Sequence, residues 1–215
     1  MSEVQGTSLR ERTRNAVRDQ IAEVALVLFD EQGFDETTVE QIVATVGISP
    51  RSFFRYFAAK EDVVLGDPMT YGEPVRARLD ESIRAMPLWD ALLTAFDPIV
   101  SRIEDDPEGT LRATRVMISA PTLRARNTEK HLAWLSVLEP LVAGALTGPE
   151  AQRQYRAKAI TLCALTCLDA AHAEWVHRRG DVTLRVLLDD AFRMLRPATL
   201  AETGAIGSRP DTPVR

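Results

Sequence analysis

The side chains best suited to chemistry lie in one run, Ser-Pro-Arg-Ser-Phe-Phe-Arg-Tyr-Phe-Ala-Ala-Lys, from Ser49 to Lys60. Wound as a helix at 100° per residue, this run places Phe53 and Phe57 on one face. Arg51, Phe54 and Arg55 fall on the opposite face, flanked by Ser52 and Tyr56. The inward pair is core-like. The outward set offers two guanidiniums, a hydroxyl, a phenol and an aromatic ring. A guanidinium can bond both acceptors of a guanine edge, while hydroxyls and ammonium groups suit phosphate oxygens. Lys60 adds a charge where a further helix opens, and free N–H groups there already favour anions. The chemistry this pattern suits is the recognition of a nucleic acid. Arg10, Arg12 and Arg14, near the opening of the first helix, either touch a phosphate backbone or minor groove or belong to a solvated terminus.

Bond-making chemistry has no comparable constellation. The three histidines stand apart, no glycine-rich loop follows a strand, and no nucleophile is paired with a base. Neither a cofactor nor a metal is expected. Cys163 and Cys167 lie four apart in an apolar stretch, on one helix face but strained for a bridge. They read as two small buried hydrophobes, the alternative being a redox switch or a soft-metal site with His172 as a third ligand.

These groups must be held by helices. The chain has 215 residues, 45% of them hydrophobic, which is ample for a packed core. No stretch alternates like a strand, so the expected fold is all-α. The first helix spans about 10–32, with Val17, Ile21, Ala25, Leu28 and Phe29 at helical spacing and Gly33 at its end. Thr37 with Glu40 reads as the capping box of a second helix, whose stripe is Val39, Ile42, Val43 and Val46. Gly47 ends it. Ser49 caps the third helix and Pro50 takes its first position. A fourth begins near Lys60, and Gly66, Pro68, Gly72 and Pro74 suggest a joint over about 60–75. Body helices follow over about 75–86, 88–105 (kinked at Pro98), 108–119, 122–146 (bent at Pro140), 149–179 and 182–196.

The formal net charge of −5 excludes a protein that coats nucleic acid through bulk charge, but not a local basic face on an acidic body. No run of about 18 apolar residues escapes interruption by a charge, so no membrane span is expected. The start, Met-Ser-Glu-Val-Gln-Gly, is unlike a secretory signal, and a cytoplasmic location is expected.

Two short helices across a glycine turn, packed on a longer one, are the parts of a helix-turn-helix. The stretch from Gly33 to Val63, GFDETTVEQIVATVGISPRSFFRYFAAKEDV, resembles the DNA-binding signature of the TetR family. The resemblance implies a helix-turn-helix domain at 1–65 and a ligand-binding and dimerisation domain at 66–197, while 198–215, rich in Gly, Pro and Ser with few large apolar side chains, reads by composition as a disordered tail. It implies that Thr38 contacts phosphate, that Ser49, Arg51, Ser52 and Arg55 face the groove and its rims, that Tyr56 reaches the backbone, and that Lys60 binds phosphate. Phe54 stands where many relatives carry tyrosine; it can meet a thymine methyl or a sugar but cannot donate a hydrogen bond. The implied partners are a palindromic double-stranded operator, a second copy of the chain joined through the last two long helices, and a small-molecule effector.

Trp89, Phe96, Arg115, Met117, His131, Trp134 and Trp175 are the residues expected to line the effector pocket, with ordinary core packing as the alternative for its aromatic members. FFRYFAAKEDVVLGD, the run at 121–126 followed by Trp134, and Ala173-Glu174-Trp175 resemble an actinobacterial branch of the mycofactocin-system regulator type. That resemblance implies an acyl-CoA-like effector, with Arg115, Arg124 or Arg126 near its phosphates. The expected function is a ligand-released repressor rather than an enzyme. The rivals are an all-helical interaction adaptor and a redox-sensing regulator using Cys163 and Cys167.

Overall fold

A computed structural model describes residues 9–66 and 68–196; the expected tail at 198–215 lies outside the described residues. Every regular element among the described residues is α-helical. The head comprises α1 (Leu9–Gln32), α2 (Val39–Val46), α3 (Pro50–Tyr56) and α4 (Asp62–Leu65). The body comprises α5 (Pro68–Ser82), α6 (Leu88–Ala95), α7 (Asp97–Asp105), α8 (Pro107–Ser119), α9 (Pro121–Ala145), α10 (Glu150–His177) and α11 (Leu184–Met194).

Two apolar clusters organise these helices. The larger gathers Val75, Leu79, Leu92, Trp134, Leu138, Leu165, Leu168, Leu188 and Phe192 from α5, α6, α9, α10 and α11. The smaller joins Ile21, Ala25, Phe29, Ile42, Val43, Phe53 and Phe57 of the head to Val116, Ala120 and Leu123 of the body. The corner between α8 and α9 is therefore part of the head's own core.

Three expectations about local structure change. The cap of α2 is Thr38, not Thr37: its hydroxyl accepts from the Gln41 N–H at 3.2 Å, and the Gln41 side chain accepts from the Thr38 N–H at 2.7 Å. Thr37 is instead fully buried, its hydroxyl donating to the Gly33 carbonyl at 2.8 Å. The joint is mostly helix, because α5 runs through both Gly72 and Pro74. Gly72 is buried where a Cβ would lie 2.9 Å from Trp134 Cδ1, so it permits close approach of α5 to α9 instead of breaking α5. Pro74 is exposed, where water can serve the carbonyl its ring leaves free. The helix expected at 88–105 is two, divided at Phe96, with Pro98 in the opening turn of α7.

α10 is long and apolar enough in composition to cross a membrane, contrary to the expectation from charge interruptions. It packs instead between α9 and α11, burying Leu165, Leu168, Ala171 and Trp175. Cys167 is buried on that inner side, whereas Cys163 is exposed, so only one of the two thiols is a core residue.

Candidate nucleic-acid interface

The turn between α2 and α3 depends on Gly47, whose φ of 78° is left-handed and whose N–H closes on the Val43 carbonyl at 2.9 Å. Two residues on, Ser49 caps α3 by accepting from the Ser52 N–H at 3.1 Å, with Pro50 in the first turn. Phe53 is completely buried and Phe57 nearly so, their rings 5.3 Å apart. That anchor turns the opposite side of α3 to solvent.

Ser49, Arg51, Ser52, Phe54 and Arg55 together line an open depression on that outer side. Arg51 is exposed and has no hydrogen-bond or ion-pair partner among the described residues. Arg55 is engaged within the helix: it lies 5.0 Å over the Tyr56 ring and donates to the Tyr56 hydroxyl at 3.2 Å. The Ser49 and Ser52 hydroxyls are 3.0 Å apart and share one hydrogen bond. Thr38 is exposed at the start of α2; because its oxygen accepts the cap bond, its own proton remains to be donated outward. The site thus offers an unengaged guanidinium, several hydroxyl donors and one apolar ring on the outer side of a single helix. Such a face is shaped to enter a groove rather than to enclose a substrate.

Lys60 has a more structural position than its sequence neighbours suggest. Its ammonium donates to the Phe34 and Thr37 carbonyls, each at 2.7 Å, and sits 4.2 Å from the Phe34 ring centroid. It ties the loop before α2 to the turn before α4, leaving one N–H for another acceptor. Lys60→Met is expected to leave the Thr37 carbonyl unpaired and the Phe34 carbonyl with only the Thr37 N–H, and to destabilise the head by about 1–3 kcal/mol. A lower urea midpoint would show this; an unchanged midpoint would leave an outward contact as the lysine's main task.

The residues expected at an effector pocket divide into three groups. Trp89, Phe96 and Trp175 are buried in the body core; Trp89 Nε1 donates to the Phe192 carbonyl at 2.8 Å, and the Phe192 and Phe96 rings meet edge to face with centroids 6.1 Å apart. Arg115 and Met117 sit at the junction with the head, Arg115 paired with Asp30 at 2.9 Å. Arg126 lies 3.8 Å from Asp62 and also pairs with Glu129, while Arg124 donates to the Ile118 carbonyl.

The third group, His131 and Trp134, belongs to a polar inlay between α9 and α10. His131 Nδ1 lies 3.3 Å from Asp169, Asn127 donates to the same carboxylate at 3.3 Å, and the Lys130 ammonium is 5.1 Å from the Trp134 ring centroid. The Asn127 side-chain oxygen is buried without a partner. Asn127, Lys130 and Asp169 were missed from sequence, and His172 reads there only as a conceivable metal ligand beside the cysteines. The spacing 127, 130, 131, 134 marks one helix face and carried the available signal.

Burial pushes the His172 imidazole down to about 4, the nearby Lys130 charge acts in the same direction, and a Leu168 backbone bond opposes them. Burial likewise lowers His131, against the pull of Asp169, and lowers Lys130. For a histidine depressed in the fold, stability is complete above the unfolded value near 6.5. It is lost as pH falls from there toward about 4, because the unfolded chain takes up the proton first. Melting temperature is therefore expected to drop between pH 7 and pH 4.5, and His172→Gln should flatten that drop. An identical pH dependence in the variant would assign it elsewhere.

Burial raises the Cys167 thiol to about 11, the opposite of a reactive thiolate. That removes Cys167 as the acidic member of a thiol switch.

A glycine turn, a capped helix presenting arginine, and a helical body seated in the head's core define a helix-turn-helix DNA-binding regulator. Residues 21–66 match the family model for bacterial regulatory proteins of the tetR family, and residues 86–199 match the MftR C-terminal domain. The regulator TcmR of Streptomyces glaucescens is 30% identical over 206 residues, covering 92% of this chain and 90% of that protein. A Mycobacterium tuberculosis protein provisionally named as the mycofactocin biosynthesis regulator MftR is 28% identical over 181 residues, covering 84% of this chain and 90% of that one. Among solved structures, the regulator FadR of Bacillus subtilis, in complex with stearoyl-CoA, aligns with a TM-score of 0.51 at 18% identity, covering 82% of this chain and 96% of that one. This protein belongs to the TetR family of DNA-binding transcriptional regulators, with a C-terminal domain of the MftR type; the family is one of regulators rather than enzymes.

Proposed function

We propose that the chain works as a homodimeric repressor whose body binds an amphiphilic, acyl-CoA-like effector and thereby releases a palindromic operator. Residues up to about 65 read DNA; those from 66 to 197 bind the effector and dimerise. In the head, Arg51 reads a base edge, Ser49, Ser52 and Arg55 meet the groove rim, and Thr38, Tyr56 and the remaining Lys60 N–H hold phosphates. Pairing through α10 and α11 is favoured by the surface they expose: Ala159, Leu162, Cys163, Thr166, Ala170 and Ala173 on α10, with Val186 and Met194 on α11. Small and apolar side chains at helical spacing suit close packing against a second copy. Two-fold symmetry would set the recognition helices about 34–36 Å apart, one turn of DNA. A regulator of this kind acts where the chromosome is, in the cytoplasm.

The observation that carries the effector reading is the burial of Val116, Ala120 and Leu123 in the head's core. A body helix cannot shift without moving the surface against which α1 and α4 pack. The Arg115–Asp30 and Arg126–Asp62 pairs cross the same boundary but are partly exposed to solvent, so they contribute about 0–1 kcal/mol each and serve to register the corner. The polar inlay around His131 and Trp134 offers the effector's polar part its partners, including the unpaired Asn127 oxygen. An acyl chain would then have to part the packing around Trp89, Phe96 and Trp175. The matching MftR-type domain and the stearoyl-CoA complex of the B. subtilis regulator support that ligand class.

An effector acts only through its preference for one head spacing over another. A coupling of about 1–3 kcal/mol corresponds to a 5–150-fold loss of operator affinity. The test is binding to DNA from around the protein's own coding region, at two salt concentrations, with and without palmitoyl-CoA. Selective binding weakened by palmitoyl-CoA supports the whole proposal. Selective binding indifferent to acyl-CoAs of several chain lengths would retain the regulator and overturn the effector class.

A further inference from the structure

We propose that Phe54 is a base-reading residue that selects thymine in each operator half-site through the 5-methyl group; this rests on the DNA-binding reading above. Among the described residues of the head, Phe54 is the one large apolar side chain left more than half exposed, at 54%. Its orientation is set by the core beneath it, because the ring meets Phe53 edge to face at 5.4 Å and 89°. The exposure is therefore a position built on the anchored side of α3, not a loose end.

The surroundings of that ring specify its partner. Phe54 shares the open depression on α3 with Arg51, Arg55, Ser49 and Ser52, so cationic and hydroxyl groups surround a single apolar contact. A protein partner would bring a broader apolar face than one ring can match. The floor of the major groove offers a small apolar group framed by hydrogen-bond acceptors and phosphate charge, and that group is the thymine methyl. Phenylalanine has no polar atom with which to bond a phosphate or a base edge, so burial of a methyl is its means of discrimination.

The neighbouring side chains divide the remaining work. Arg55 is held over the Tyr56 ring and against its hydroxyl. Arg51, one turn before Phe54 on the same outer face, has no partner among the described residues and is free to bond a guanine edge. The half-site is thus expected to contain a guanine read by Arg51 close to a thymine read by Phe54.

The test begins with selection of a binding site from random-sequence duplexes by the full-length protein. Each thymine of the selected site is then replaced by uracil, symmetrically in both half-sites, which removes the methyl and leaves every hydrogen-bonding group. Burial of one methyl corresponds to about four-fold in affinity, so two half-sites give about fifteen-fold. The wild-type protein should lose about that much at one thymine position, and Phe54→Ala should lose nothing there while melting at the wild-type temperature. The proposal is overturned if no replacement weakens the wild-type protein, or if Phe54→Ala keeps the same penalty at the same position. Failure of the selection to enrich any sequence would instead overturn the DNA-binding reading, and this proposal with it.

Discussion

Arg51→Ala is expected to lower affinity for the selected operator by about 5–150-fold per half-site, the range for losing a bidentate contact to a base. Binding to random DNA should weaken much less, since it loses only one of many phosphate attractions. The discrimination between operator and random DNA should therefore collapse while the dependence on salt changes little. The reason lies in how α3 is held. Phe53 and Phe57 fix its inner face, Ser49 fixes its first turn, and Arg51 projects from that turn with no partner among the described residues. Titrations of both DNAs at two salt concentrations would separate the possibilities. Equal weakening of operator and random DNA, with a salt slope reduced by about one, would make Arg51 a phosphate contact instead.

Phe53→Ala should have the largest effect on the fold. The side chain is completely buried, touches both Phe54 and Phe57, and joins α3 to the shared cluster with α1 and the α8–α9 corner. Truncating a buried phenylalanine costs about 3–5 kcal/mol, a large share of the about 5–15 kcal/mol that a folded domain has in reserve. The head should lose its helical signal at a lower temperature than the body, whose separate core around Trp134, Leu138, Leu165 and Phe192 is untouched. Circular dichroism with temperature, alongside DNA binding on the same samples, would record this. A single transition near the wild-type temperature would show that the α8–α9 corner supports the head without Phe53.

Much of the head was legible because its signals are local. A left-handed glycine at 47, a serine cap at 49, a proline at 50 and two phenylalanines four apart each act within one or two helical turns. The shift of the α2 cap from Thr37 to Thr38 shows the limit of that reading. Both are threonines three residues from a glutamate or glutamine, so the capping pattern permits either. Burial decides between them, since the Thr37 hydroxyl is needed inside to satisfy the Gly33 carbonyl. Lys60 shows the same limit. Its two carbonyl partners lie 26 and 23 residues away, a distance over which no spacing rule operates.

In the body, local rules misled where packing overrode them. Gly72 and Pro74 read as a break because both disfavour helix, yet α5 continues through them. The backbone cost is offset by the close seating of Trp134 against a residue without a side chain. Asn127, Lys130, His131, Asp169 and His172 show the converse case. In the sequence His131 reads as a pocket candidate, His172 as a conceivable metal ligand and the other three carry no signal of their own; only the packing of α9 on α10 assembles them into one inlay.

The helical class, the helix-turn-helix and the chemistry of its outward face are written in the local pattern of the chain. Periodicity, caps and turns act over a few residues, and their physics is complete within the stretch that encodes them. The relation of head to body is settled by long-range packing. Val116, Ala120 and Leu123 lie more than fifty residues beyond Val63, yet they complete the head's core. Burial of apolar surface has no direction and no preferred separation along the chain. A stripe of valine, alanine and leucine on α8 and α9 therefore states that a partner exists without stating which, and the fold supplies the answer.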